Sequence, residues 1–224
     1  MHKKINNSKK VRGVLFDMDG VILDSMPFHV KAWKDAFHDK GLDVDERLFY
    51  LYEGAIEPDV ACRLFAGNGA ELTVEDFFQI HELQKRYFLE RYASQVRPFD
   101  GVLELLEGLR EVGAKSALVT SSHGEILEAV LPERLKNLFS HVVTGDSVER
   151  RKPQPDPYLA GLKGIGNGLK GESVAVENAP AGIESAKRAG LKCIAITTTL
   201  SDEQLRDADL IVRHHHELAD IILR

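Results

Sequence analysis

The stretch Val11-Arg12-Gly13-Val14-Leu15-Phe16-Asp17-Met18-Asp19-Gly20-Val21 decides how this chain is read. Its first half is a short apolar, β-branched run, and its second half is an acidic turn containing a glycine. That is the pattern of a buried strand that delivers two carboxylates to one end of a sheet. Similar runs follow at residues 115–119, 141–144, 173–176, 192–196 and 210–212. Between them, apolar residues recur at helical spacing: Val102, Leu105, Leu106, Leu109 and Val112; Ile126, Leu127, Val130 and Leu131; and Ile183, Ala186 and Ala189. Gly113 and Gly190 stand where the first and last of these helices should stop. Strands alternating with helices predict an α/β fold, a Rossmann-like parallel sheet covered on both faces.

One region breaks the alternation. From about Phe28 to Ala93 no segment reads as a strand, whereas Ala32, Trp33, Ala36 and Phe37 share a helical face, as do Phe77, Ile80, Gln84, Tyr87 and Phe88. Thr73 followed by Asp76 has capping-box spacing, and Gly67-Asn68-Gly69 suits a helix-to-helix turn. The expected organisation is a core of residues 11–27 and 96–224, an inserted α-helical cap of residues 28–95, and a tail of residues 1–10. Hinges fall near residues 25–27 and 96–101.

With 224 residues, 43% hydrophobic and 29% charged, the chain is long enough and apolar enough to bury a core, which excludes a disordered or fibrous protein. A formal net charge of −6, with no long run of Lys or Arg after Lys10, argues against nucleic acid as a partner. No apolar stretch is long enough to span a membrane, and the basic start is not followed by the apolar h-region of a signal peptide, because the next segment already contains Asp17 and Asp19, so the expected location is the cytoplasm. Cys62 and Cys193 lack metal-ligand spacing and read as free thiols.

In an open α/β sheet, ligands bind beyond the carboxyl ends of the strands. Asp17-Met18-Asp19-Gly20 follows the first strand, Thr120-Ser121-Ser122 the second and Glu177-Asn178 the fourth, while Arg151-Lys152-Pro153 precedes the fourth. Carboxylates, hydroxyls and a lysine at one sheet edge suit a phosphate and Mg²⁺, a hard cation that prefers oxygen ligands.

The same segments, in the same order, resemble the four motifs of the haloacid dehalogenase superfamily: residues 17–21, 118–122, 151–156 and 176–183. The resemblance covers essentially the whole chain after the tail. It implies that Asp17 is the nucleophile that forms an aspartyl-phosphate and that Asp19 is the general acid and base. It implies further that Thr120 binds the phosphoryl oxygens and that Lys152 neutralises their charge. Mg²⁺ would then be held by Asp17, Asp19, Glu177 and Asn178, although the superfamily has paired acids where this chain has Glu177-Asn178. Gly20, Ser121, Ser122 and His29 fall to substrate or phosphate binding by the same resemblance.

The implied activity is an Mg²⁺-dependent phosphatase for a small phosphorylated metabolite, in a monomer or weak dimer. His29 and Trp33 also resemble the first cap helix of β-phosphoglucomutase, which keeps a sugar-phosphate mutase as the alternative. Against it, Glu57 stands where mutases carry an arginine for a second phosphate, and His123-Gly124 replaces lysine and asparagine. A phospho-accepting receiver domain, the non-enzymatic alternative, is about half this length and has no insertion after its first strand. His214-His215-His216 reads as a surface loop.

Overall fold

The computed structural model describes residues 10–52, 62, 65–67 and 72–223. Glu57, Arg63, the Asn68-Gly69 part of the expected turn, and residues 1–9 of the tail lie outside them. The six expected strands form a single sheet: β1 (Gly13–Phe16), β2 (Lys115–Val119), β3 (His141–Val143), β4 (Ser173–Glu177), β5 (Lys192–Ile196) and β6 (Leu210–Val212). Their order is β3-β2-β1-β4-β5-β6 and every pairing is parallel. Side chains alternate along each strand. Val14, Phe16, Leu118 and Val176 enter one apolar cluster, and Leu15, Ala117, Val119 and Ala175 enter the other. Both faces are therefore buried, as the uninterrupted apolar runs require. The strand order reverses direction between β1 and β4, and a sheet of this topology opens its ligand crevice at that point.

Among its described residues the insertion holds helices and no strand. Helices α1 (Met26–His38), α2 (Arg47–Tyr52) and α3 (Val74–Tyr87) precede a π turn at Phe88–Tyr92. Thr73 caps α3 with the expected box, accepting from the Asp76 amide while the Asp76 carboxylate accepts from the Thr73 amide. Trp33 is buried in an aromatic cluster, stacked on Phe49 and Phe77 with ring centroids 5.8 and 6.0 Å away. Two chain segments join cap to core side by side: the Asp24 amide donates to the Arg97 carbonyl at 2.9 Å, and the Phe99 amide to the Ile22 carbonyl at 3.1 Å.

The histidine run departs from the surface-loop expectation. His215 opens a helix (His215–Ile222) whose apolar face also contains Leu218 and Ile222, and spacing of three and seven residues buries its ring with theirs. The ring stacks on Phe99 at 4.9 Å and its Nε2 lies 2.7 Å from the Val21 carbonyl, which fastens this helix to the root of the cap. Among the described residues no helix is long and apolar enough to cross a membrane.

Candidate active site

The backbone ladders position the site first. The Asp17 amide donates to the Val176 carbonyl at 3.0 Å and the Thr120 amide to the Val143 carbonyl at 2.9 Å, so both residues extend strand pairings by one rung. Beyond Asp17 the chain folds into a tight turn in which the Met18 carbonyl accepts from the Ile22 and Leu23 amides, each at 2.9 Å. Gly20 sits in that turn at φ +84°, and a Cβ there would lie 2.1 Å from Asn178 Nδ2. Only glycine meets both conditions. Its amide donates to the Leu23 carbonyl at 2.8 Å and its carbonyl accepts from Thr198 Oγ1 at 2.5 Å, so Gly20 shapes the turn and its N–H is not directed at a ligand.

Lys152 lies at the centre. Its Nζ donates to Asp17 Oδ1 at 2.6 Å, Glu177 Oε1 at 2.7 Å and the Val119 carbonyl at 3.0 Å. Glu177 also accepts from the Tyr158 hydroxyl at 2.7 Å and from the Asn178 amide at 3.1 Å. A Cβ on Gly182 would lie 1.9 Å from Glu177 Oε1, so the following helix (Pro180–Arg188) reaches this carboxylate only because residue 182 has no side chain. Burial alone would lower the Lys152 ammonium, but Asp17 and Glu177 outweigh it and hold the group well above its usual value, fully charged. Burial pushes the Asp17 carboxyl up to about 8, with Lys152 pulling against it and the charges of Glu177 and Asp19 adding to it.

Asp19 has different neighbours. It accepts from Ser25 Oγ at 2.6 Å, Ser122 Oγ at 2.8 Å and Thr120 Oγ1 at 3.3 Å, and His29 Nε2 lies 3.2 Å from its Oδ1. Burial would raise this carboxyl, but the charge of His29 and the bonds from His29, Ser25 and Ser122 hold it at about 2. His29 is itself fixed by stacking on Phe88, ring centroids 3.9 Å apart, and by Gln84 Nε2 at 3.2 Å from its Nδ1. A cavity of about 20 Å³ lies among Asp17, Asp19, Ser121, Ser122, Lys152 and Asn178. A second, of about 80 Å³, lies between cap and core and shares Ser121 and Ser122 with the first.

The structure thus brings Asp17, Asp19, Thr120, Ser121, Ser122, Lys152, Glu177 and Asn178 to one sheet edge, with His29 reaching in from the cap. Tyr158, Gln84 and Ser25 complete the site, and the sequence reading gave none of them a role in it. Tyr158 reads as one more apolar position of its helix, and Gln84 as part of a helix face.

A family model for haloacid dehalogenase-like hydrolases matches residues 14–196, which takes in strands β2 to β5, nearly all of β1, and the site residues from Asp17 to Gly182. The chain belongs to the haloacid dehalogenase-like hydrolases. This hydrolase is 30% identical over 205 residues to validoxylamine A 7'-phosphate phosphatase of Streptomyces hygroscopicus subsp. limoneus, covering 89% of this chain and 92% of that protein. It is 34% identical over 206 residues to Protein SUPPRESSOR OF QUENCHING 1 of Arabidopsis thaliana, covering 89% of this chain but only 19% of that longer protein. Among solved structures it superposes on a β-phosphoglucomutase-like protein of Bacteroides vulgatus with TM-score 0.78 at 26% identity, covering 96% and 88% of the two chains. With phosphatases among its relatives across their full length, this hydrolase is placed among the phosphoric monoester hydrolases of the family.

Proposed function

We propose that this hydrolase cleaves a small phosphorylated metabolite, a sugar phosphate or similar monoester, through an aspartyl-phosphate on Asp17 and with Mg²⁺. The observation that carries the reading is the joint grip of Lys152 on Asp17 and Glu177, beside an Asp19 tied to Ser122 and His29. In the first step an Asp17 oxygen bonds to phosphorus as the bond to the leaving oxygen breaks, and that oxygen takes a proton. His29 Nε2 lies 3.2 Å from Asp19 Oδ1, and as an imidazolium–carboxylate pair the two hold one transferable proton, which passes through Asp19 to the leaving oxygen. In the second step water bonds to phosphorus, Asp19 takes the water's proton, and the bond to Asp17 breaks to release inorganic phosphate. An Asp19 held at about 2 is ionised and ready for that role. Lys152 offsets charge on the phosphoryl group throughout.

The donor set fits Mg²⁺. Among the described residues no group of three or more His, Cys, Asp or Glu is arranged to hold a metal, but Mg²⁺ uses only one or two carboxylates and retains water. Asp17 by a carboxylate oxygen, Asp19 by its backbone carbonyl and Asn178 by its amide oxygen would hold it, and when bound the ion supplies charge that keeps Asp17 ionised. Glu177, already accepting from three donors, orients Lys152 instead.

The His29–Asp19 contact also favours the mutase reading, because that is what the resemblance to β-phosphoglucomutase implies. Phosphate release from a panel of monoesters is the test. Asp17→Asn should abolish release, and more than one-tenth of wild-type activity in a protein free of deamidation would overturn the nucleophile. Conversion of β-glucose 1-phosphate to glucose 6-phosphate in excess of hydrolysis would put the mutase in its place.

A further inference from the structure

The cavity of about 80 Å³ between cap and core is walled by Trp33, His81 and Lys85 from the cap and by Ser122, His123 and Arg151 from the core. In a chain of net charge −6, none of the described residues lining it is a carboxylate. Its two permanent cations differ. Lys85 is neutralised, with Glu125 at 2.9 Å and Glu82 at 3.2 Å. Arg151, exposed at the rim, donates from one guanidinium nitrogen to His123 Nε2 at 2.8 Å, and among the described residues no carboxylate lies within ion-pair distance of it. Its neighbour Arg150, by contrast, pairs with Asp156 at 3.0 Å. A bond to an imidazole nitrogen orients the guanidinium without cancelling its charge.

We propose that Arg151 is a specificity-determining residue, receiving a second anionic group, carboxylate or phosphate, at the end of the substrate away from Asp17. The inference rests on the hydrolase reading above and narrows its substrates to acidic phosphate monoesters. A guanidinium fork matches the two oxygens of a carboxylate or phosphate, and in a cavity of donors an acceptor-rich group meets no like charge. The cavity shares Ser121 and Ser122 with the one at Asp17, so a single ligand can occupy both. Its volume is about 80 Å³, several times the roughly 10–15 Å³ that one water needs, which leaves room for an anionic group.

The test compares kcat/KM for matched esters with the full chain and Mg²⁺: 2-phosphoglycolate against 2-hydroxyethyl phosphate, 3-phosphoglycerate against glycerol 3-phosphate, and fructose 1,6-bisphosphate against fructose 1-phosphate. The wild type should prefer the doubly anionic member at least tenfold, in the first two pairs if the group is a carboxylate and in the third if it is a phosphate. Arg151→Gln should lower that ratio at least tenfold, and Arg151→Lys should retain part of it. Ratios near one in the wild type contradict the assignment and leave the hydrolase reading standing. Equal losses on both members in Arg151→Gln also contradict it, because the loss would then act through the adjacent Lys152. No phosphate release from any ester, p-nitrophenyl phosphate included, removes the hydrolase reading and this inference with it.

Discussion

The ion pairs at the sheet edge and at the cap–core seam have nearly the same length and very different surroundings. Lys152 reaches Asp17 and Glu177 at 2.6 and 2.7 Å with side chains that are 4%, 11% and 1% exposed. Lys85 reaches across from the cap to Glu125 at 2.9 Å with side chains 20% and 52% exposed. Distance therefore does not rank them. In the first pair the charges are cut off from water, so removing one partner strands the others. In the second, water screens both, and the pair separates at little cost. Breaking the first pair is therefore costly and breaking the second is not.

The largest contrast should come from Lys152→Met. It leaves Asp17 and Glu177 buried without their cation, and removing one partner of a buried pair costs about 3–5 kcal/mol. Denaturant unfolding should register that loss, and phosphate release should fall by roughly 10²–10³-fold or more. A stability change within 1 kcal/mol would mean that the centre is not sealed from solvent.

An intermediate effect is expected for His29→Gln, where the cap meets the sheet edge. Asp19 then loses the charge that holds it at about 2, burial dominates, and its carboxyl rises. The protonated form persists to higher pH, so the acid limb of the kcat profile should move up by more than one pH unit. The rate at neutral pH should fall by about 10–10²-fold, part of the ~10²–10⁴ available to acid–base catalysis. An unmoved acid limb would separate His29 from Asp19.

The smallest effect should be that of Lys85→Met, which removes only the screened pair. Stability should stay within about 1 kcal/mol of wild type. A loss comparable with that of Lys152→Met, read in the same unfolding experiment, would erase the distinction between the two regions.

The same division explains what could be read in the sequence. Asp17, Thr120 and Glu177 end or directly follow short apolar strands, and a parallel sheet aligns those ends, so local sequence implied their convergence. The seam has no such rule. Gln84 lies 55 residues from His29, and nothing in the period of its helix marks it as facing a catalytic residue. His215 was misread because three consecutive histidines look like a polar loop, whereas spacing to Leu218 and Ile222 selects one of them for burial. Glu177 was expected to hold metal; that its oxygens also accept from Lys152, Tyr158 and the Asn178 amide is visible only in three dimensions.

The central claim is covalent catalysis by Asp17, and trapping the intermediate tests it most directly. Enzyme quenched during turnover and reduced with borohydride should yield homoserine at position 17, since hydride attacks the acyl carbon of an aspartyl-phosphate and expels phosphate. Mass spectrometry of the peptide containing residues 13–31 would locate the change. Homoserine at position 17, dependent on substrate and absent from Asp17→Asn, is the predicted result; active enzyme that yields none there, or yields it at Asp19, would contradict the account.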